Sequence, residues 1–139
     1  MISIYGELEH FLRHRRTTKF YSNNWKNQLI SKYFDDGHVL VQREEVYYKN
    51  KLIWLCFVHG MLSYPEIKNI LEDIVLNLNP EYHIPIRGPL SHKNFHVDSF
   101  CYNLHLTSDS SVLSFSGTET INYSDKKYIY TGRISGGYI

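Results

Sequence analysis

The run Leu52–Val58, LIWLCFV, contains no charged or polar-uncharged side chain, and nothing else in the chain limits its fold so strongly. A short continuous apolar run reads as a strand with both faces covered, because a half-exposed strand would alternate. It closes the longer stretch Gly37–Gly60, GHVLVQREEVYYKNKLIWLCFVHG, which reads as a hairpin at the centre of a small sheet. The first strand, about His38–Tyr48, sets Val39 and Val41 against Leu40 and Gln42. Lys49-Asn50-Lys51 makes a plausible turn, since Asn tolerates positive φ. The pair Glu44-Glu45 marks a solvent-facing bend or bulge. The second strand is expected to be central and intolerant of charge.

Helical spacing flanks the hairpin. Ile4, Leu8, Phe11 and Leu12 recur at i, i+4, i+7 and i+8, which predicts a helix over 2–14. It runs into Arg13, His14, Arg15, Arg16 and Lys19. Those cations either complement a helix C-terminus or form a docking patch for an acidic partner. Trp25, Leu29, Ile30, Tyr33 and Phe34 form one coherent face, with Ser22, Asn23 and Asn24 as N-caps and Gly37 suited to the left-handed position after the last turn, so a second helix is expected here. Ser63-Tyr64-Pro65-Glu66 has the form of a capping box. It opens a third helix whose stripe is Ile67, Ile70, Leu71, Ile74, Val75 and Leu78, stopped by Asn79-Pro80.

Residues 80–99 form a connection rich in Pro and His, with a short strand near Tyr82–Ile86. The rest reads as a meander with strands near Phe100–Thr107, Val112–Ser116, Glu119–Tyr123 and Lys127–Arg133, turning at Ser108-Asp109-Ser110, Ser116-Gly117 and Ser124-Asp125. The tail from Ser135 is either loose or laid along the last strand. The expected fold is one α+β domain over 1–139. Its sheet is mainly antiparallel, with about six strands, and about three helices pack largely on one side.

Composition narrows the function classes. The chain carries 12 Tyr, 7 Phe and 2 Trp against a net charge of +1. Near neutrality argues against a dedicated nucleic-acid binder, which would be basic with a clustered patch. Abundant Tyr serves either wet strand faces or a binding surface. Cys56 and Cys101 both lie in apolar strand-like runs, so they read as buried thiols, or as a disulfide if those strands are neighbours. The first residues, MISIYGELEHFLRHRR, lack the apolar core of a signal peptide. No stretch is long enough to span a bilayer, and a cytoplasmic location is expected.

Catalytic patterns are thin. His92 and His96 are four apart, yet Gly88-Pro89 precedes them and no HExxH or CxxC accompanies them, so no metal and no cofactor are expected. A metal-independent ribonuclease needs only acid/base groups and a cation for phosphate. Arg87, His92 and His96, in the segment running from His83 to His105, form the candidate set for that alternative.

The stretch from Trp25 to Glu66, WKNQL…GHVLVQREEVYYKNKLIWLCFVHGMLSYPE, resembles parts of the small bacterial immunity proteins of contact-dependent growth inhibition systems. Those show a Trp-x-x-x-Leu helix, an aromatic-rich hairpin and a helix opened by Ser, Pro and Glu. The resemblance implies a non-enzymatic α+β protein that binds and neutralises one toxin domain. It carries over no functional residues. Tyr and Arg supply interface hot spots, so the candidate partner-binding residues are Glu44, Glu45, Tyr47, Tyr48, Tyr82, Arg87, Tyr128 and Tyr130.

Overall fold

The computed structural model describes residues 4–14, 24–71, 94–97, 99–124 and 127–139. They form a single seven-stranded sheet in which every neighbouring pair is antiparallel. The strands are β1 Trp25–Phe34, β2 Val39–Tyr48, β3 Lys51–Leu62, β4 Asn94–Val97, β5 Phe100–Leu106, β6 Ser114–Tyr123 and β7 Lys127–Tyr138. Their spatial order is β1-β2-β3-β7-β6-β5-β4. Two meanders therefore meet along the β3–β7 seam. The helices are α1, Ile4–His14, and the short α2, Ile67–Leu71.

The β2–β3 hairpin turns at Lys49 and Asn50, both with positive φ, as the Asn signal predicts. β3 is interior, paired with β2 and β7, but it is not covered on both faces. Trp54, Cys56 and Val58 are buried, whereas Phe57 is 43% exposed and Leu55 half-buried. Continuous apolarity here reports a covered face and an apolar open face, not two covered ones. Glu44 and Glu45 are both buried, contrary to the solvent-facing reading. The register shift comes one residue later, between Val46 and Tyr47, where Ile53 on β3 is the extra residue.

The segment Trp25–Phe34 is strand β1 and not a helix. Its apolar spacing also satisfies period two, with Trp25, Leu29 and Tyr33 on one face. Pairing with β2 along its whole length outweighs helical spacing, since strand preference is set by cross-strand packing. Asn24 contributes its carbonyl to the Lys49 N–H at 2.8 Å and so helps close the hairpin end. The chain then reverses through Asp35, Asp36 and Gly37, all at positive φ.

In the C-terminal half the expected Ser116-Gly117 turn is absent, and β6 runs unbroken from Ser114 to Tyr123. Gly117 is needed for close approach: a Cβ there would meet the His105 carbonyl oxygen at 2.0 Å. The tail is not loose. It extends β7 to Tyr138, and the Ile139 N–H donates to the Ile53 carbonyl.

One face of the sheet carries the core. From α1 come Leu8, Phe11 and Leu12, from α2 Ile67 and Leu71, and from the strands Leu40, Val46, Trp54, Val58, Leu104 and Ile134. Phe11 stacks on Trp25 at 4.9 Å between ring centroids. The Trp54 indole N–H donates to the Val112 carbonyl at 3.0 Å, tying the β5–β6 connection to β3. Each large apolar side chain so buried contributes roughly 1.5–3 kcal/mol. The third expected helix is described only through Leu71, and the strand expected near Tyr82–Ile86 lies outside the described residues. No helix among the described residues is long and apolar enough to cross a membrane.

Cys56 and Cys101 are free thiols. With β7 and β6 between their strands and seven residues of β6 between their registers, they sit more than about 14 Å apart at ordinary strand spacing, too far for a disulfide.

Gly60 on β3 lies opposite Gly132 on β7, and the Tyr130 ring crosses over both. A Cβ at Gly60 would fall 2.4 Å from that ring. Gly60→Ala is expected to destabilise the fold by about 1–3 kcal/mol through overpacking, read by urea unfolding.

Candidate functional site

Side chains alternate across a strand, so the residues packed into the core dictate which ones face outward. Glu119 is fully buried. It accepts a hydrogen bond from the Tyr102 hydroxyl at Oε2 and one from the Tyr130 hydroxyl at Oε1, both at 2.6 Å. A buried carboxylate is tolerated only when hydrogen-bonded, and such charge-assisted bonds are the strong ones. This clamp joins β5, β6 and β7. Because Glu119 and its neighbours Gly132, Gly60 and Leu104 take the core side, Thr118, Arg133, His59 and His105 take the opposite, open side. They form one cross-strand row, His59–Arg133–Thr118–His105.

The next row on the same side is Met61–Thr131–Thr120–Asn103. Apart from Asn103, these rows and Tyr128 bound an open trough of about 480 Å³, which Gly132 and Glu119 also line. Arg133 is exposed, and among the described residues its guanidinium has no acidic partner. On β3, β5, β6 and β7 the open side presents no Asp or Glu. A second, apolar hollow of about 340 Å³ lies between α2 and the ends of β5 and β6, bordered by Tyr64, Ile67, Phe100 and Tyr123.

The other half of the open side is different. Phe34, Val39 and Met61 share one row across β1, β2 and β3, and Ile30, Arg43 and Phe57 share another. Phe34 is 51% and Met61 61% exposed. Lys26 and Lys32 are also exposed. The acid on this side, Glu45, is held by Arg43 at 3.3 Å. Desolvation, then the Glu45 carboxylate, raise the Tyr47 phenol above its ordinary range, with Arg43 opposing them.

The sequence-derived partner residues are scattered by this geometry. Glu44 is buried on the core side, where the Asn27 amide donates to its Oε2 at 3.0 Å. Tyr130 is also buried, in the Glu119 clamp. Neither can contribute its side chain to a docking surface. Glu45 and Tyr47 lie on the open side. Tyr48 packs on Trp25 at 4.8 Å and carries the Lys49 ammonium over its ring. Tyr128 is 62% exposed at the trough rim. Tyr82, Arg87 and His92 lie outside the described residues, as do Arg15, Arg16 and Lys19. His96 is on β4, its Nε2 3.7 Å from the Cys101 Sγ. The trough residues His59, Arg133, Thr118 and His105 were not singled out by sequence reasoning as a group. They come from four strands, and only the alternation around Gly60, Gly132 and Glu119 could have united them. No group of three or more His, Cys, Asp or Glu side chains that could hold a metal occurs among the described residues.

Residues 32–139 match the family model described as Domain of unknown function (DUF5680). That range runs from the end of β1 through β7. Comparison with curated proteins and with solved structures gives no match.

Removing one hydroxyl from the clamp leaves Glu119 with one fewer donor in a buried setting. Tyr130→Phe is expected to lower stability by about 1.5–3 kcal/mol. Combined with Tyr102→Phe, it should depart from additivity by at least about 0.5 kcal/mol, because both phenols serve one carboxylate. Denaturant unfolding of the two single variants and the double variant measures this.

Proposed function

The chain belongs to the DUF5680 family, and on that premise we propose that it is a non-enzymatic, cytoplasmic protein-binding module that docks a partner on the open side of β1, β2 and β3. The observation that carries this reading is the exposure of Phe34, Phe57 and Met61 on a sheet face that the core does not use. Apolar side chains grouped on a surface mark interaction sites, and aromatic residues with Arg are the usual anchors. Lys26, Lys32 and Arg43 flank the patch, the acid on this side of these strands, Glu45, is already paired, and Asp35 and Asp36 lie beyond the end of β1. The complementary partner is a protein with an apolar centre and an acidic rim, since opposed potentials steer association and reject mismatched partners.

A toxin domain neutralised by occlusion is the form of this partner suggested by the resemblance to immunity proteins. The β2–β3 hairpin and the Ser63-Tyr64-Pro65-Glu66 segment support that form. Trp25 and Leu29 do not, because they lie on a strand where the resemblance calls for a helix.

Phe57→Glu places a charge at the centre of the patch while leaving the core side untouched. Tagged wild-type and Phe57→Glu chains, exposed to the same cell lysate, should differ in one stoichiometric protein partner. That partner should be retained by the wild type and depleted at least about tenfold by the variant. A partner that also bound in purified form and was lost again with Arg43→Glu would support docking through this face. Equal retention by all three chains, with circular dichroism confirming their folds, would contradict it.

A further inference from the structure

The trough on the β5–β7 half of the open side is graded in chemistry along its length. At one end stands the row His59, Arg133, Thr118, His105. Arg133 is flanked by a histidine on one neighbouring strand and a threonine on the other, and His105 follows on the next. A guanidinium offers a planar set of donors suited to a phosphate, and imidazole and hydroxyl groups add donors beside it. Arg133 is exposed with no carboxylate on its own side of β3, β5, β6 or β7. The nearby Glu119 carboxylate is held by the Tyr102 and Tyr130 hydroxyls, so the guanidinium can take an anion.

The middle of the trough holds Thr131 and Thr120, paired across β7 and β6, with Met61 beside them on β3. Hydroxyls there can donate to or accept from the hydroxyls of a sugar. At the far end Tyr128 is paired with Asn122 and is 62% exposed. An exposed ring of this kind is a stacking platform for a base, and the Asn amide beside it can hydrogen-bond a base edge. Thr118 and Asn122, which pair with Arg133 and Tyr128, are four residues apart on β6. That separation is about 13 Å at the rise of an extended strand, and the long Arg133 and Tyr128 side chains stand on the same side of the sheet. The volume, about 480 Å³, falls within the range of small-ligand sites, roughly 300–1,000 Å³.

We propose that this trough binds a nucleoside monophosphate, with Arg133 and its paired neighbour His59 on the phosphate, Thr131 and Thr120 at the sugar, and Tyr128 stacked on the base. The site draws mainly on β5, β6 and β7 and shares β3, with Met61 at the border, with the protein-docking patch, but it does not depend on that patch having a partner.

Isothermal titration of the full chain with AMP, GMP, CMP and UMP, and with adenosine and inorganic phosphate as controls, tests this. At least one mononucleotide should bind with a Kd below about 1 mM, more tightly than adenosine or phosphate. Arg133→Ala should weaken that nucleotide at least about tenfold. Tyr128→Ala should weaken it as well, while leaving inorganic phosphate unchanged. Both side chains are exposed, and thermal unfolding verifies that the variants fold. No binding by any mononucleotide would overturn the proposal. So would wild-type affinity in Arg133→Ala, or phosphate alone binding as tightly as the best nucleotide. Because Phe57 lies outside the trough, Phe57→Glu should bind the nucleotide as the wild type does, so failure of the docking reading and failure of this one are separable.

Discussion

Two phenolic hydroxyls on one buried carboxylate determine how the C-terminal half of the sheet presents itself. Tyr102, Glu119 and Tyr130 come from three neighbouring strands, and the Tyr130 ring reaches across Gly132 to Gly60 on a fourth. A one-residue slip of any of these strands would turn its whole set of side chains to the opposite face. It would place Glu119 in the open trough or drive Arg133 into the core, each at the expense of an unsatisfied charge. The clamp thus does more than stabilise. It specifies that His59, Arg133, Thr118 and His105 stand together on the side away from the core.

The sheet divides its work between its faces. The core side takes most of the buried apolar residues of the long strands and of both helices, and Gln42 there donates to the Ser31 hydroxyl at 2.7 Å. The open side is divided again at the β3–β7 seam. Toward β1 it is apolar and cationic, which suits a protein surface. Toward β5 it carries hydroxyls and amides with two histidines and one arginine, which suits a small polar anion. Antiparallel sheets commonly leave one face to solvent, but a solvated face does not require exposed Phe and Met.

Much of this was legible in the chain itself. The β2–β3 hairpin followed from alternation and from Asn50. The first helix followed from Leu8, Phe11 and Leu12, and β5 and β7 from their alternating pattern. The mainly antiparallel α+β arrangement followed from hairpin-connected strands. Other parts were hidden for identifiable reasons. Trp25–Phe34 satisfies both helical and strand periodicity, and only its pairing with β2 decides between them. Gly117 looks like a turn residue, yet it is small because the β5 backbone passes close by. Glu44, Glu45 and Glu119 look like surface residues, because nothing local reveals the Asn27, Arg43 and tyrosine groups that meet them. The trough unites positions 59, 105, 118 and 133, which no local window can join.

The central claim is that one face of the sheet carries the fold and the other is free for recognition. Denaturant unfolding of the triple variant Phe34→Thr, Met61→Thr, Tyr128→Thr measures this most directly, since it removes the three most exposed of these side chains while keeping strand-compatible residues. If the open face is free, stability should change by less than about 1.5 kcal/mol, the sum expected of three surface substitutions. A loss of about 4 kcal/mol or more, the scale of core truncations, would mean that these side chains support the fold, and would contradict the division of the sheet into a structural and a recognition face.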